Sequence, residues 1–355
     1  MVVIGGGQAG LSAGFYLRRS GMQPLRDYVI LDANPHPGGA WQHGWGSLRL
    51  FSPAEFSSLP GWQMPVWRDG FPPVGHVLNY LTRYEERYAL PVLHDTRVTS
   101  VYRDTLGGAG FVVHTDLDRW RTDAVISATG TWGQPFWPSY PGARGFRGRQ
   151  LHTAQYRSPA EFQGQRVIIV GGGNSAAQLL AEVSTVASTT WVTPRPPRFL
   201  PDDVDGRVLF DLASARSAAL AAGRGDDGGV SALGDIVMIP TVRDARDRGV
   251  LTSRPMFRAL TNTGVTWADG TEEPANTILW CTGFRPVLGH LAPLRLPRDD
   301  GHIAVAGTQA TTEPRLHLLG YGDWTGPASA TLIGVGRTAR AAVNDLTELA
   351  AVTGE

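Results

Sequence analysis

Two glycine-rich turns limit what this chain can fold into. Each is entered from a short aliphatic run and followed by helix-forming sequence. VVI at residues 2–4 runs into GGGQAG, and VIIV at 167–170 runs into GGGNSA. Both fit Gly-x-Gly-x-x-Gly/Ala: Gly5, Gly7 and Gly10 in the first, and Gly171, Gly173 and Ala176 in the second. The first glycine permits the tight turn, the second lets the backbone approach a pyrophosphate, and the small third residue lets the helix pack on its strand. Free N–H groups at the helix start then face the phosphates. One such pattern is weak evidence. Two, each between a strand and a helix, predict an α/β fold of two Rossmann-like dinucleotide-binding domains.

The surrounding pattern agrees. Residues 11–19 read as a helix ending at Gly21, and 28–31 as the next strand. Asp32 closes that strand about 20 residues past the turn, where a carboxylate accepts from ribose hydroxyls. Residues 77–88 predict an amphipathic helix. Residues 96–102, 110–115 and 119–122 alternate apolar and polar and predict a β-meander, before a buried strand at 124–129. In the second unit, 176–186 reads as a helix, with strands at 189–192 and 277–281. No acid ends its second strand; Arg195 and Arg198 stand there instead, as expected for a 2′-phosphate and hence for NADPH. Residues 316–319 form a late strand, and 330–350 read as the closing helix. The domains are therefore nested: 1–155 plus 275–355 form one, and 156–274 form the other, inserted.

Composition removes several classes. The formal net charge is zero, with no long basic run, so there is no electrostatic footprint for nucleic acid or an anionic membrane. No apolar stretch approaches the length of a membrane span, and the N-terminus does not read as a signal peptide. The single cysteine, Cys281, cannot form a disulfide pair, so disulfide reduction is excluded and a cytoplasmic location is expected. No His/Cys/Asp/Glu cluster has metal-ligand spacing. Residues 206–234 are Ala/Gly/Asp-rich and expected to be helical in part; the stretch 212–234 is a candidate homodimer contact.

Several further motifs carry a family resemblance. Phe146-x-Gly148-x-x-x-His152-x-x-x-Tyr156 precedes the second turn; Gly38-Gly39-x-Trp41 follows the first unit's second strand; Ala128-Thr129-Gly130-x-Trp132 and Cys281-Thr282-Gly283-Phe284 end two buried strands. With these, the chain resembles the flavin-containing monooxygenases (class B flavoprotein monooxygenases), including the Baeyer–Villiger and N-hydroxylating branches. The segments LRLFSPAEFSSLPG, PRFLPDDVDGR, WCTGFRP and GDWTGPASATLIGVGR are similar to the short bacterial members found with arsenic-resistance operons.

The resemblance implies a glutathione-reductase-like arrangement with FAD and NADPH. NADPH reduces the flavin, O₂ adds at its C4a position, and the peroxyflavin passes one oxygen atom to a small soft nucleophile or carbonyl. FAD contacts are then expected from Gly5, Gly7, Gln8, Ala9, Gly10, Asp32, Gly39, Trp41, Val98, Ala128, Thr129 and Gly130. Asp323 is expected to accept from a ribityl hydroxyl, and the helix start near Thr331 to turn its positive end toward the flavin. NADP contacts are expected from Gly171, Gly173, Asn174, Ser175, Ala176, Arg195 and Arg198. His152 and Tyr156 are expected to be structural. The chain departs from the family at residues 48–60, which hold no asparagine to steady the oxygenated flavin. Ser52, the nearest small donor, and Arg49 are the candidate catalytic residues. That departure leaves a quinone or protein reductase, or a flavin-binding redox sensor, as alternatives.

Overall fold

The computed structural model describes residues 1–105, 110–204, 208–209, 211–212, 215–216, 219, 222 and 235–353. The first aliphatic run forms β1 (Val2–Ile4), and the glycine turn enters α1 (Gln8–Arg19). Gly21, at φ 96°, takes the chain out of that helix toward β2 (Val29–Leu31), which lies parallel to β1. α2 (Val74–Arg87) and β3 (Val92–Leu93) come next. β4 (Val98–Arg103), β5 (Phe111–Thr115) and β6 (Arg119–Thr122) make a separate antiparallel sheet, the meander that the alternation predicts. β7 (Val125–Ser127) then pairs with the other edge of β1.

The second unit contains β8 (Arg149–His152), β9 (Arg166–Val170), α3 (Asn174–Val183) and β10 (Ser188–Val192). It continues with α4 (Pro240–Asp247) and β11 (Ser253–Arg254). β12 (Ala259–Leu260), β13 (Gly264–Thr266) and β14 (Glu272–Pro274) form a small antiparallel sheet before β15 (Thr277–Trp280). A hairpin of β16 (Arg298–Asp299) and β17 (His302–Ile303) leads to β18 (Val305–Ala306), β19 (Gln309–Ala310) and β20 (Glu313–Leu318), and then to α5 (Val335–Thr353).

Two sheets organise the molecule. One has seven strands in the order β18-β19-β20-β7-β1-β2-β3, the other five in the order β11-β10-β9-β15-β8. Their central strands are parallel and buried along their length, which is why they read as unbroken aliphatic runs. α1 buries Leu11, Ala13 and Leu17 in the same core as Ala339, Val343 and Leu346 of α5, so the last helix completes the first unit. β8 and β15, however, lie on either side of the expected 156–274 insertion and both belong to its sheet, with Thr277 opposite Arg149 and Val167.

The closing helix begins at Val335, not at residue 330. Ala328, at φ 59°, lies before the expected start, and Thr331 caps the turn that delays the helix. Its hydroxyl accepts from the Gly334 N–H at 3.0 Å and its carbonyl from the Val335 N–H at 3.1 Å. Positions 208–209, 211–212, 215–216 and 219 are helical and 222 is in a turn; the rest of the segment expected to be partly helical, including most of the candidate homodimer stretch, lies outside the described residues. No helix among the described residues is long and apolar enough to cross a membrane.

A Cβ on Gly10 would lie 1.8 Å from the Gly5 carbonyl oxygen. Gly10→Ala therefore pushes α1 off β1 and lowers stability by about 1–3 kcal/mol. The urea midpoint measures this, and an unchanged midpoint would show that the contact does not constrain the fold.

Candidate active site

The turn from β1 into α1, the end of β2, the Gly38 and Gly39 turn and the residues after β7 enclose a cleft of about 570 Å³. Gly5, at φ 104°, is pressed against β7: a Cβ there would lie 2.5 Å from the Ala128 carbonyl oxygen. Gly7 is open by contrast, with only the Gly39 Cα, at 3.7 Å, near an added Cβ. Gly39, at φ 54°, lies so close to Gly7 that its own Cβ would sit 2.6 Å from the Gly7 Cα. The Gly38 and Gly39 turn thus rests on the first glycine turn.

Asp32 is buried at the far end of the cleft. Its Oδ1 accepts from the Asn34 backbone N–H at 3.0 Å and side-chain amide at 2.9 Å. Its Oδ2 is buried with no partner among the described residues. A buried acceptor without a donor is costly, and a ribose hydroxyl would supply one here. The open face at Gly7 and this carboxylate oxygen fit FAD. Of the expected FAD contacts, all but Gly10, Asp323 and Thr331 line the cleft. Gly10 serves the packing of α1 on β1.

Several lining residues were not among the expected contacts. The Tyr321 hydroxyl lies 2.6 Å from Ser127 Oγ and 2.7 Å from Thr129 Oγ1, and accepts from the Thr129 N–H at 3.1 Å. His290 Nε2 lies 3.0 Å from the same Ser127 hydroxyl. Trp132 stacks on His43 and on Phe284, linking the ends of the two buried-strand motifs. The glycines flanking Tyr321 hint at its turn; His290 has no local signal.

A second cavity of about 590 Å³ adjoins the first, and Gln8, Trp41 and Ala330 line both. Gln8 fixes this shared wall: its Oε1 accepts from Trp41 Nε1 at 3.1 Å, and its Nε2 donates to the Ala330 carbonyl at 2.7 Å. Leu48, Leu50, Phe51 and Phe56 form one apolar side, and Leu332 and Ile333 another. Ser52 and Arg49 line this cavity, but both are already engaged. Ser57 Oγ donates to the Pro53 carbonyl at 2.9 Å and therefore accepts from Ser52 Oγ at 2.8 Å. Ser52 consequently presents lone pairs, not a free O–H, to the cavity. Arg49 Nη1 donates to the Phe71 carbonyl at 2.9 Å. Asp323 and Thr331 also border this cavity rather than the first. The turn Asp323–Thr325 carries the Asp323 carboxylate to the surface, where it pairs with Arg216 at 3.0 Å.

The turn between β9 and α3 repeats the one between β1 and α1. Gly171, at φ 142°, would place a Cβ 2.3 Å from the Cys281 carbonyl oxygen, and nothing lies within 4 Å of a Cβ on Gly173. Asn174 and Ser175 begin α3, and Ala176 is buried against the sheet. Arg195 is exposed beyond β10. Arg198, expected at a 2′-phosphate, instead forks onto Asp235: Nε to Oδ2 and Nη2 to Oδ1, each at 2.9 Å.

His152 is structural. Its Nδ1 accepts from the Ala154 N–H at 3.1 Å, so its Nε2 carries the proton and donates to the Gly283 carbonyl at 3.0 Å. Burial lowers its pKa, keeping the ring neutral. Tyr156 donates to Glu182 at 2.8 Å. Burial pushes the Cys281 thiol up to about 12, as befits a core residue. Among the described residues no group of three or more His, Cys, Asp or Glu is placed to hold a metal.

Two nested parallel-sheet units, each with an open glycine turn, define a two-dinucleotide flavoprotein oxidoreductase. Residues 2–206 match the model of the pyridine nucleotide-disulphide oxidoreductase family. A flavin-containing monooxygenase from Stenotrophomonas maltophilia is 52% identical and superposes with a TM-score of 0.87, covering 98% of each chain. The uncharacterized oxidoreductase CzcO of Bacillus subtilis (strain 168) is 28% identical over 349 residues, covering 97% of this chain and 98% of its own. The probable indole-3-pyruvate monooxygenase YUCCA1 of Arabidopsis thaliana is 24% identical over 318 residues, 80% of this chain and 75% of its own. The chain belongs to the flavin-containing monooxygenase family, whose members use FAD and NADPH.

Gly7→Val leaves the packing intact but fills the face open to FAD. We expect a folded, colourless protein, with flavin content read from the absorbance spectrum; a fully yellow variant would remove Gly7 from the site. A second prediction concerns pH. His290 and His317 are each pushed down to about 4 by burial. Between about pH 4 and 6.5 the unfolded chain therefore binds more protons than the folded one. Stability rises with pH through that window and is lost as pH falls, by at most roughly 3 kcal/mol per ring. Urea midpoints at pH 7 and pH 5 test it; equal midpoints would contradict burial of neutral rings.

Proposed function

We propose that this flavin monooxygenase oxygenates a small, largely apolar molecule seated in the second cavity, with FAD in the first cleft and NADPH docked on the second glycine turn. The observation that carries this reading is the wall of Gln8, Trp41 and Ala330 shared by cleft and cavity. Bound FAD supplies the hydride acceptor and the O₂-reactive centre. The N–H groups at the start of α1 take its pyrophosphate, and Asp32 takes a ribose. Gln8 holds Trp41 in place, and the apolar residues around it exclude water. Asp323 serves the rim of the substrate cavity, and Arg195 supplies charge for the 2′-phosphate. The FAD unit is the one built on the seven-stranded sheet, and the coenzyme unit the one built on the five-stranded sheet. A lone buried thiol suits the reducing cytoplasm, where we place the enzyme.

Two substitutions test the assignment. Ile333→Trp fills the cavity and should lower kcat/KM at least tenfold across a panel of thioethers and cyclic ketones, with far less effect on anaerobic flavin reduction by NADPH. Undiminished oxygenation would place the substrate elsewhere. Arg195→Ala should raise KM for NADPH by about tenfold, the scale of a charge-assisted phosphate contact, and leave KM for NADH nearly unchanged. Equal effects would remove Arg195 from the 2′-phosphate site.

A further inference from the structure

Arg198 stands in the sequence where a 2′-phosphate ligand is expected, yet its guanidinium is already forked onto a carboxylate. The backbone locks the pair further. The Asp235 N–H donates to the Arg198 carbonyl at 2.9 Å, and the Ile236 N–H to the same oxygen at 3.1 Å. Asn174, the first residue of α3, donates its side-chain N–H to the Asp235 carbonyl at 2.8 Å and accepts from the Val237 N–H at 2.8 Å. The segment 235–237 is thus strapped across the start of α3, and it carries a fixed negative charge.

That charge conflicts with the turn it straps. The N-terminal end of α3 attracts an anion through its free N–H groups and dipole, whereas a nearby carboxylate repels one. Asp235 also lines the second cavity, so its field reaches that space. The Arg198 fork occupies both Asp235 oxygens and uses the Nε and Nη2 edge that would otherwise grip a phosphate. The side chains are about half exposed, at 52% for Arg198 and 47% for Asp235, so solvent screens the pair and its effect on an anion is moderate.

We infer that Arg198 is a positioning residue: it neutralises Asp235 beside the second glycine turn, so that the strap from Asn174 can hold there without repelling the coenzyme pyrophosphate, and it does not read the 2′-phosphate. This rests on the second turn being the coenzyme site. Any preference for NADPH over NADH then falls to Arg195 and not to Arg198. Arg195 also acts on the Asp235 carboxylate through its charge, but Arg198 holds it by two hydrogen bonds, and its loss affects both coenzymes because both carry the pyrophosphate.

The test is calorimetric titration of the FAD-loaded protein with NADP⁺ and with NAD⁺, for the parent, Arg198→Ala, Asp235→Asn and the double variant. Arg198→Ala should weaken both coenzymes by about fivefold, the effect of one solvent-screened like charge. The double variant, which removes the charge that needed masking, should return both to within about twofold of the parent. A loss confined to NADP⁺ would overturn the inference and return Arg198 to the 2′-phosphate. An equal loss that Asp235→Asn does not restore, or no loss at all, would overturn it as well. A parent protein that binds neither coenzyme would overturn docking on the second turn itself.

Discussion

A Cβ on Gly5 would lie 2.5 Å from the carbonyl oxygen of Ala128, and one on Gly171 would lie 2.3 Å from that of Cys281. The backbone contact that these two glycines permit is what each half of the molecule depends on. It lets a helix start directly beside the middle strands of a parallel sheet, with its first N–H groups facing outward at the strands' carboxyl ends. That is where open α/β sheets bind nucleotides. The strand that each glycine touches runs on into the same sequence, Thr-Gly, at residues 129–130 and 282–283, with Gly130 at φ 63° and Gly283 at φ 77°. The two units thus solve one packing problem in one way, and the stack of Trp132 on Phe284 joins them where the two solutions meet.

The sequence disclosed what is encoded locally. Both glycine turns, Asp32, the meander and the buried strands are set by spacing and periodicity, and the structure has each of them. Contacts across long separations were not legible. β15 joins the second sheet because Thr277 finds Arg149 and Val167, partners that no window of sequence contains. Arg198 looked like a phosphate ligand because its partner, Asp235, is remote in sequence. Ser52 reads as a free donor in the sequence, but its O–H is already donated to Ser57 Oγ. The last helix starts late because Thr331 caps a turn over residues 331–334, and the helix begins only after it. The family motifs revealed the fold and class, while the second cavity draws on loops whose geometry only the folded chain sets.

The proposed function depends on the position of one wall. Gln8 belongs to the first glycine turn, Trp41 to the turn resting on it, and Ala330 to the segment leading into α5. Elements that line the proposed flavin cleft therefore also line the second cavity. In the proposed arrangement a substrate in the second cavity would lie beside the flavin and out of bulk water, as oxygen transfer requires and simple reduction does not. The most direct test is isotopic: holoenzyme turning over NADPH under ¹⁸O₂ with a thioether from the substrate panel, and the product weighed by mass spectrometry. The account predicts one labelled oxygen atom in the product for each NADPH consumed. NADPH consumption that yields only hydrogen peroxide, with the thioether unchanged, would contradict it.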